Sequence, residues 1–331
     1  MKLPLALATA ATLIAFAVPA LAGNDPPARG TPPSVEAQRG AWWLAFNDST
    51  LNLLQVIARG MNEGAGAGSV LALEARVTSC YVQARVETLL LANAQAQQRG
   101  LQQQVAALPA SGDPAAAERL RLQQRIAPAQ SQADRAATRR SIALDALAQA
   151  VRGEAGRGAL EAMLDAALSD ARLPLPRVQV PDEVPAAWLQ LRPDVEAAAR
   201  ANPLTASERH FVAYLQAISG SIAPATLKDR IVAGLLPARG DSVARARTDV
   251  ALQLAHVQRR AQAAWAGRQR VQEAGARLQA IEARVAAGTG TLQEQLLAGD
   301  DLLAAEETLI DAAGALADAW IAFEVSVGGA T

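Results

Sequence analysis

The side chains that could do covalent or metal chemistry are few, and they stand apart. The two histidines, His210 in SERHFVAY and His256 in QLAHVQRR, have no ligand-type residue one helical turn away. Neither therefore offers the paired ligands of a helical zinc site. The single cysteine, Cys80, sits in VTSCYVQARV in step with apolar neighbours. That setting makes a buried thiol that packs as a small hydrophobe, and a lone cysteine has no partner for an intramolecular disulfide. NEGAGAGSV, from Asn62, is glycine-rich but has no strand before it and no lysine, both of which a phosphate-cradling loop needs. The arginine pairs Arg139–Arg140 and Arg259–Arg260 fall in helix-forming text and read as solvated faces or as partners for Glu and Asp. No nucleophile elbow or Cys–His pairing occurs. The expectation is a protein without catalysis, cofactor or metal.

The elements available to position any site are helices. The chain has 331 residues, 51% hydrophobic but 3% aromatic, dominated by Ala, Leu, Gln and Arg, which is a long-helix composition. A net charge of −1 gives no bulk positive charge to hold nucleic acid. Residues 1–22 read as an export signal: Lys2, an apolar stretch from Leu3 to Val18, and Ala20-Leu21-Ala22 as a small-x-small cleavage site. The expected mature terminus is Gly23. Residues 23–40, rich in Pro and Gly, read as an extended arm. After the signal, no apolar run reaches the ~20 residues of a membrane-spanning helix.

The rest divides into two helical-hairpin repeats, 41–171 and 188–331, joined by a Pro-rich crossing at 172–187. The four prolines of RLPLPRVQVPDEVP keep the crossing extended. Pro193 then suits the first turn of a new helix, with Asp194 and Glu196 where the helix dipole favours carboxylates. At a constant offset of 176 positions, Leu120 meets Leu296, Leu144 meets Trp320 and Leu147 meets Phe323. Each repeat reads as a long helix, a glycine-containing turn (Leu108–Pro114 and Ala286–Thr291) and a long helix back. The 4-3 spacing of Leu309, Ala313, Leu316, Trp320, Phe323 and Val327 marks a coiled-coil seam. Pro128 is expected to kink or interrupt its helix. Leu303, Ile310 and Ile321, off that seam, are expected to stay exposed on a single copy. Such a strip marks an interface that cyclic symmetry would close.

Four stretches together resemble the TolC/OprM-type outer-membrane factors. AWWLAFNDSTLNLLQVIARGMNE, with Trp42 and Trp43, is similar to the family's opening. LRPDVEAAARAN, with Arg192, Pro193 and Asp194, is similar to the signature of its second half. RVAAGTGTLQEQLLAGDDLLAAEETLI resembles its second hairpin, and AWIAFEVSVGGAT, with Gly328 and Gly329, its ending. The resemblance implies a mainly α protomer built on tandem coiled-coil hairpins. It implies a homotrimer, a long periplasmic α-barrel carrying an outer-membrane β-barrel, and passage of cargo without catalysis. The implied partners are a periplasmic adaptor and an inner-membrane RND-type pump.

The chain departs from that pattern where two β-hairpins are expected. Only Gly64–Val70 and Ala225–Val243 stand in their places, without the alternating segments and aromatic girdles of membrane strands. A further departure is at the pore mouth. The family's acidic position there falls on Ala298, and Asp300 and Asp301 follow. Carboxylates repeated around a bore attract cations and resist being pushed together; on one helix the same residues serve as a solvated face. Besides the exit duct, two readings fit the text: a periplasmic coiled-coil scaffold or chaperone, and a reduced family member without transport.

Overall fold

The computed structural model describes residues 41–61, 67–108, 113–151, 164, 167–168, 172–177, 189, 192–201 and 237–328. The expected signal and arm, most of the crossing, residues 225–236 of the second place of a β-hairpin, His210 and Gly329 lie outside the described residues, while 67–70 and 237–243 in those two places are helical. A short 3-10 turn at Trp42–Phe46 opens the fold. Among the described residues six α-helices follow whose ends are described: α1 Ser49–Met61, α2 Ala67–Ala107, α3 Asp113–Val151, α4 Pro193–Ala201, α5 Pro237–Ala286 and α6 Leu292–Gly328. Among the described residues there is no strand, and no helix is long and apolar enough to cross a membrane.

α2 and α3 form one antiparallel hairpin and α5 and α6 the other, and α2 packs on α6. The helices therefore stand side by side in the order α3, α2, α6, α5. At 41 residues, α2 is ~60 Å long. Of the expected turns, the first lies largely outside the described residues, and the second falls where its glycines put it. At the second, the amides of Thr289 and Gly290 close on the Arg284 carbonyl at 2.9 and 3.0 Å. Gly288 takes a φ of 73° there, a conformation that costs glycine little. Thr291 and Glu294 then cap α6 reciprocally: the Glu294 amide donates to Thr291 Oγ1 at 3.2 Å and the Thr291 amide to the Glu294 carboxylate at 3.0 Å.

Two seams on α6 explain the layer. Leu302, Leu309, Leu316, Trp320 and Phe323 are buried along the expected 4-3 stripe, with Leu309 against Gly267 of α5. A second stripe, Ile310, Gly314, Ala317, Ile321, Glu324 and Gly328, follows at the same spacing. On it, Gly314 abuts Val86 and Gly328 abuts Leu71 of α2. The expected exposure of Ile310 and Ile321 is thus corrected: they are 1% and 6% exposed, because α2 covers them, and Leu303 is half-buried. Each outer helix carries bare apolar side chains, among them Ile142 on α3 (62% exposed) and Trp265 on α5 (58%), and others lie on α1 and at the tip of α6. Pro128 is also a correction in part: α3 runs unbroken through it. The side chain is exposed, so the carbonyl that loses its amide partner can turn to water.

One large core holds the base, where the two hairpins pack on each other and α1 packs on the first of them. Toward the tips each hairpin has its own small cluster, Leu101, Leu122 and Ala129 in the first and Ala274, Leu278, Ala298 and Leu302 in the second.

Candidate functional site

The base is held by buried polar joints. Asp48 caps α1, its Oδ1 accepting from the amides of Thr50 (2.9 Å) and Leu51 (3.1 Å). Its Oδ2 accepts from the Tyr81 hydroxyl at 2.8 Å and from Arg85 Nη2 at 3.1 Å. Arg85, 3% exposed, also donates to the carbonyls of Arg172 and Ala167 at 3.1 and 3.3 Å. It thereby ties the crossing to α2. Burial pushes the Tyr81 phenol above its ordinary range, so it stays a donor. The opening tryptophans belong to the same joint. Trp42 Nε1 donates to Glu74 at 3.3 Å, and Trp43 lies 4.5 Å beneath the Arg59 guanidinium, which pairs with Glu74. Burial raises the Glu74 carboxyl; Arg59 and Trp42 pull it back.

The second joint is built from the LRPD stretch. Arg192, 3% exposed, grips Asp194 with a fork of 3.0 and 2.9 Å and donates to the Ser326 carbonyl at 2.8 Å. Asp249 of α5 is 3.6 Å away. Arg192 therefore closes the C-terminal end of α6, whose last carbonyls have no helical partner. The bond from Arg192 is the main reason the Asp194 carboxyl titrates below its usual range. Pro193 starts α4. Gly328 packs directly on the Leu71 side chain of α2, so a Cβ there would require that side chain to shift.

Toward the tips the hairpins are joined by polar side chains. Arg125 of α3 reaches Asp300 of α6 at 2.9 Å, and Gln132 donates to Glu307 at 2.7 Å. Asp301 points to another partner, Arg277 of α5, at 3.5 Å. Of the sequence-derived pair, Asp300 is therefore engaged with the first hairpin and Asp301, more exposed, with its own. Asn93 of α2 donates to the Leu303 carbonyl at 3.0 Å and to Glu306 at 3.4 Å. Burial pushes the Glu306 carboxyl up to about 7 against that bond.

Glu324, on the stripe facing α2, has no hydrogen bond or ion pair among the described residues, and burial pushes it up to about 8 from an ordinary 4.5. The folded chain then keeps a proton that the unfolded chain releases. Glu324 stabilises most below the unfolded value, and that contribution is lost as pH rises through the folded one. The melting temperature should fall by a few degrees between acid and mildly alkaline pH, and Glu324→Gln should flatten the profile. Thermal melts of both proteins across pH check this.

Sequence reading found the tryptophans and Asp48 in the opening stretch and found the LRPD stretch, but not Tyr81 and Arg85, whose spacing carries no local pattern.

No protein-family model matches the sequence, and no curated protein matches it. Among solved structures, the chain is similar to CusC, in crystal structures concerned with its folding and transmembrane channel formation. The identity is 16% and the TM-score 0.57, over 89% of this chain and 97% of that one. It is similar to a membrane protein from Pseudomonas aeruginosa at 16% identity and a TM-score of 0.51, over 87% and 75% of the two chains. A third likeness is to the outer-membrane channel OprN, at 19% identity and a TM-score of 0.50, over 86% and 69%. The chain has the TolC/OprM-type outer-membrane factor fold.

Proposed function

We propose that a chain with this fold is the exit duct of a tripartite efflux system, a passive conduit with no catalysis of its own. The observation that carries the reading is the open layer of four long helices, with bare apolar side chains at both edges, on a fold shared with channels. Three copies joined edge to edge would close it into a tube. In this reading the protein is exported, with cleavage after Ala22, and sits at the outer membrane with a periplasmic helical body. It works with a periplasmic adaptor and an inner-membrane RND-type pump. The repeats 41–171 and 188–331 each give one hairpin to the wall, and Trp42, Trp43, Arg192 and Gly328 hold the base. Membrane fractionation with cross-linking in the native cell tests it. The duct should sediment with the outer membrane and cross-link to an adaptor; a protein recovered wholly in the soluble periplasm would favour a coiled-coil scaffold.

Asp300 and Asp301 are, in the same reading, the acidic residues of the periplasmic mouth. The tips have separate cores, so they can part without unpacking the base. Arg125 then acts as a latch that neutralises Asp300 while the hairpins are together. Arg125→Ala should leave the melting temperature nearly unchanged, since an exposed pair contributes roughly 0–1 kcal/mol. It should increase the distance between spin labels on the two tips, measured by electron paramagnetic resonance.

A further inference from the structure

We propose that the groove between α3 and α6, over the middle of α2, binds a small lipophilic cation. Arg125, Gln132 and Arg139 recur every seven residues on α3 and so share a face. The first two cross to α6 at a fixed separation of 175 positions, to Asp300 and Glu307. The same step from Arg139 lands on Gly314, which has no side chain to meet it. Arg139 turns instead to Glu87 of α2, its Nε 2.8 Å from each carboxylate oxygen. The missing crossing leaves a cavity of about 330 Å³, within the usual range of ~300–1,000 Å³ for small-molecule sites.

Its floor is apolar, built from Val82, Val86 and Leu90 of α2, and Asp311 and Asp318 of α6 stand on its rim. Arg139 cancels the charge of Glu87, to which Gln83 also donates at 2.9 Å. Asp311 and Asp318 make no hydrogen bond or ion pair among the described residues. Burial raises both carboxyls, and Arg139 pulls back only Asp311. Two unmatched carboxylates over an apolar floor complement a cation that carries apolar groups. A bare metal ion is poorly served, since the described residues hold no cluster of three metal-ligating side chains and the floor offers no donor. The site does not depend on the duct reading, because binding to purified protein needs neither a pore nor a trimer.

Equilibrium dialysis of the full chain with tetraphenylphosphonium and tetraphenylborate, nearly equal in shape and opposite in charge, tests it. The cation should bind saturably and at least about tenfold tighter than the anion, and tighter still as pH is raised and the carboxyls ionise. Asp311→Asn with Asp318→Asn should abolish the preference. Both residues reach solvent at the rim even though the groove shields their carboxyls in part, so circular dichroism should show the helices intact. Ala315→Leu, which fills the groove and leaves its charge, should weaken the cation as well. Equal binding of the two ions, non-saturable uptake, or a preference that survives the paired amides would overturn the proposal.

Discussion

Asp48→Ala is expected to lower the unfolding free energy by about 3–5 kcal/mol, the largest loss from any single change considered. Two effects combine. The carboxylate caps α1 through two backbone amides, and losing such a cap costs roughly 0.5–2 kcal/mol. It also faces Tyr81 and the buried Arg85, and removing one member of a buried charged pair leaves the other uncompensated. Asp48→Asn separates the two. Asparagine caps as well as aspartate, so this variant should keep α1 and lose only the charge. Denaturant unfolding followed by fluorescence of Trp42 and Trp43, which pack 6.1 Å apart beside the joint, should rank wild type above Asn above Ala. An alanine variant within 1 kcal/mol of wild type, roughly the scale of an ordinary hydrogen bond, would mean that the joint is not what holds α1.

Ile142→Glu combined with Trp265→Glu is expected to break the proposed trimer into single copies without unfolding them. The two side chains lie on opposite edge helices and are 62% and 58% exposed. Neither contributes much to the isolated fold. Covered by a neighbour, each would be worth about 1.5–3 kcal/mol, and a closed ring repeats the loss at every junction. The charges must then be buried or the junction abandoned. Sedimentation of the variant should give monomer at concentrations where the proposed wild-type trimer forms, with an unchanged circular dichroism spectrum. A variant that assembles like wild type would place the copy-to-copy contact elsewhere.

The hairpins were legible because their signals are local. The 4-3 stripe from Leu309 to Phe323 is the α5–α6 seam, and the glycine-containing turn at Ala286–Thr291 is where α5 gives way to α6. The offset of 176 positions pairs residues alike in burial at the base, Leu144 with Trp320 and Leu147 with Phe323. It loosens at the tip, where Leu120 is exposed and Leu296 half-buried, because tip residues pack within their own hairpin. What the text did not disclose is how one hairpin docks on the other. Ile310 and Ile321 looked like a bare strip because nothing beside them in sequence says that α2 lies against them; Gly314 and Gly328 allow that approach. The base site was half legible. Trp42, Trp43, Asp48 and Arg192 stood in recognisable text, whereas Arg85 is 37 positions from Asp48 and meets it only in the fold. The separation of 175 positions that links α3 to α6 is likewise visible only once α2 has been placed between them.

The claim that three copies of this four-helix layer close into a tube is tested most directly by the mass of the native particle. Analytical ultracentrifugation of the purified wild-type chain, in mild detergent and in buffer without it, gives that mass without assuming a shape. The duct account predicts a trimer in detergent, and a trimer that persists in buffer would mark a helical tube that holds together without a membrane. A stable monomer under both conditions would contradict it.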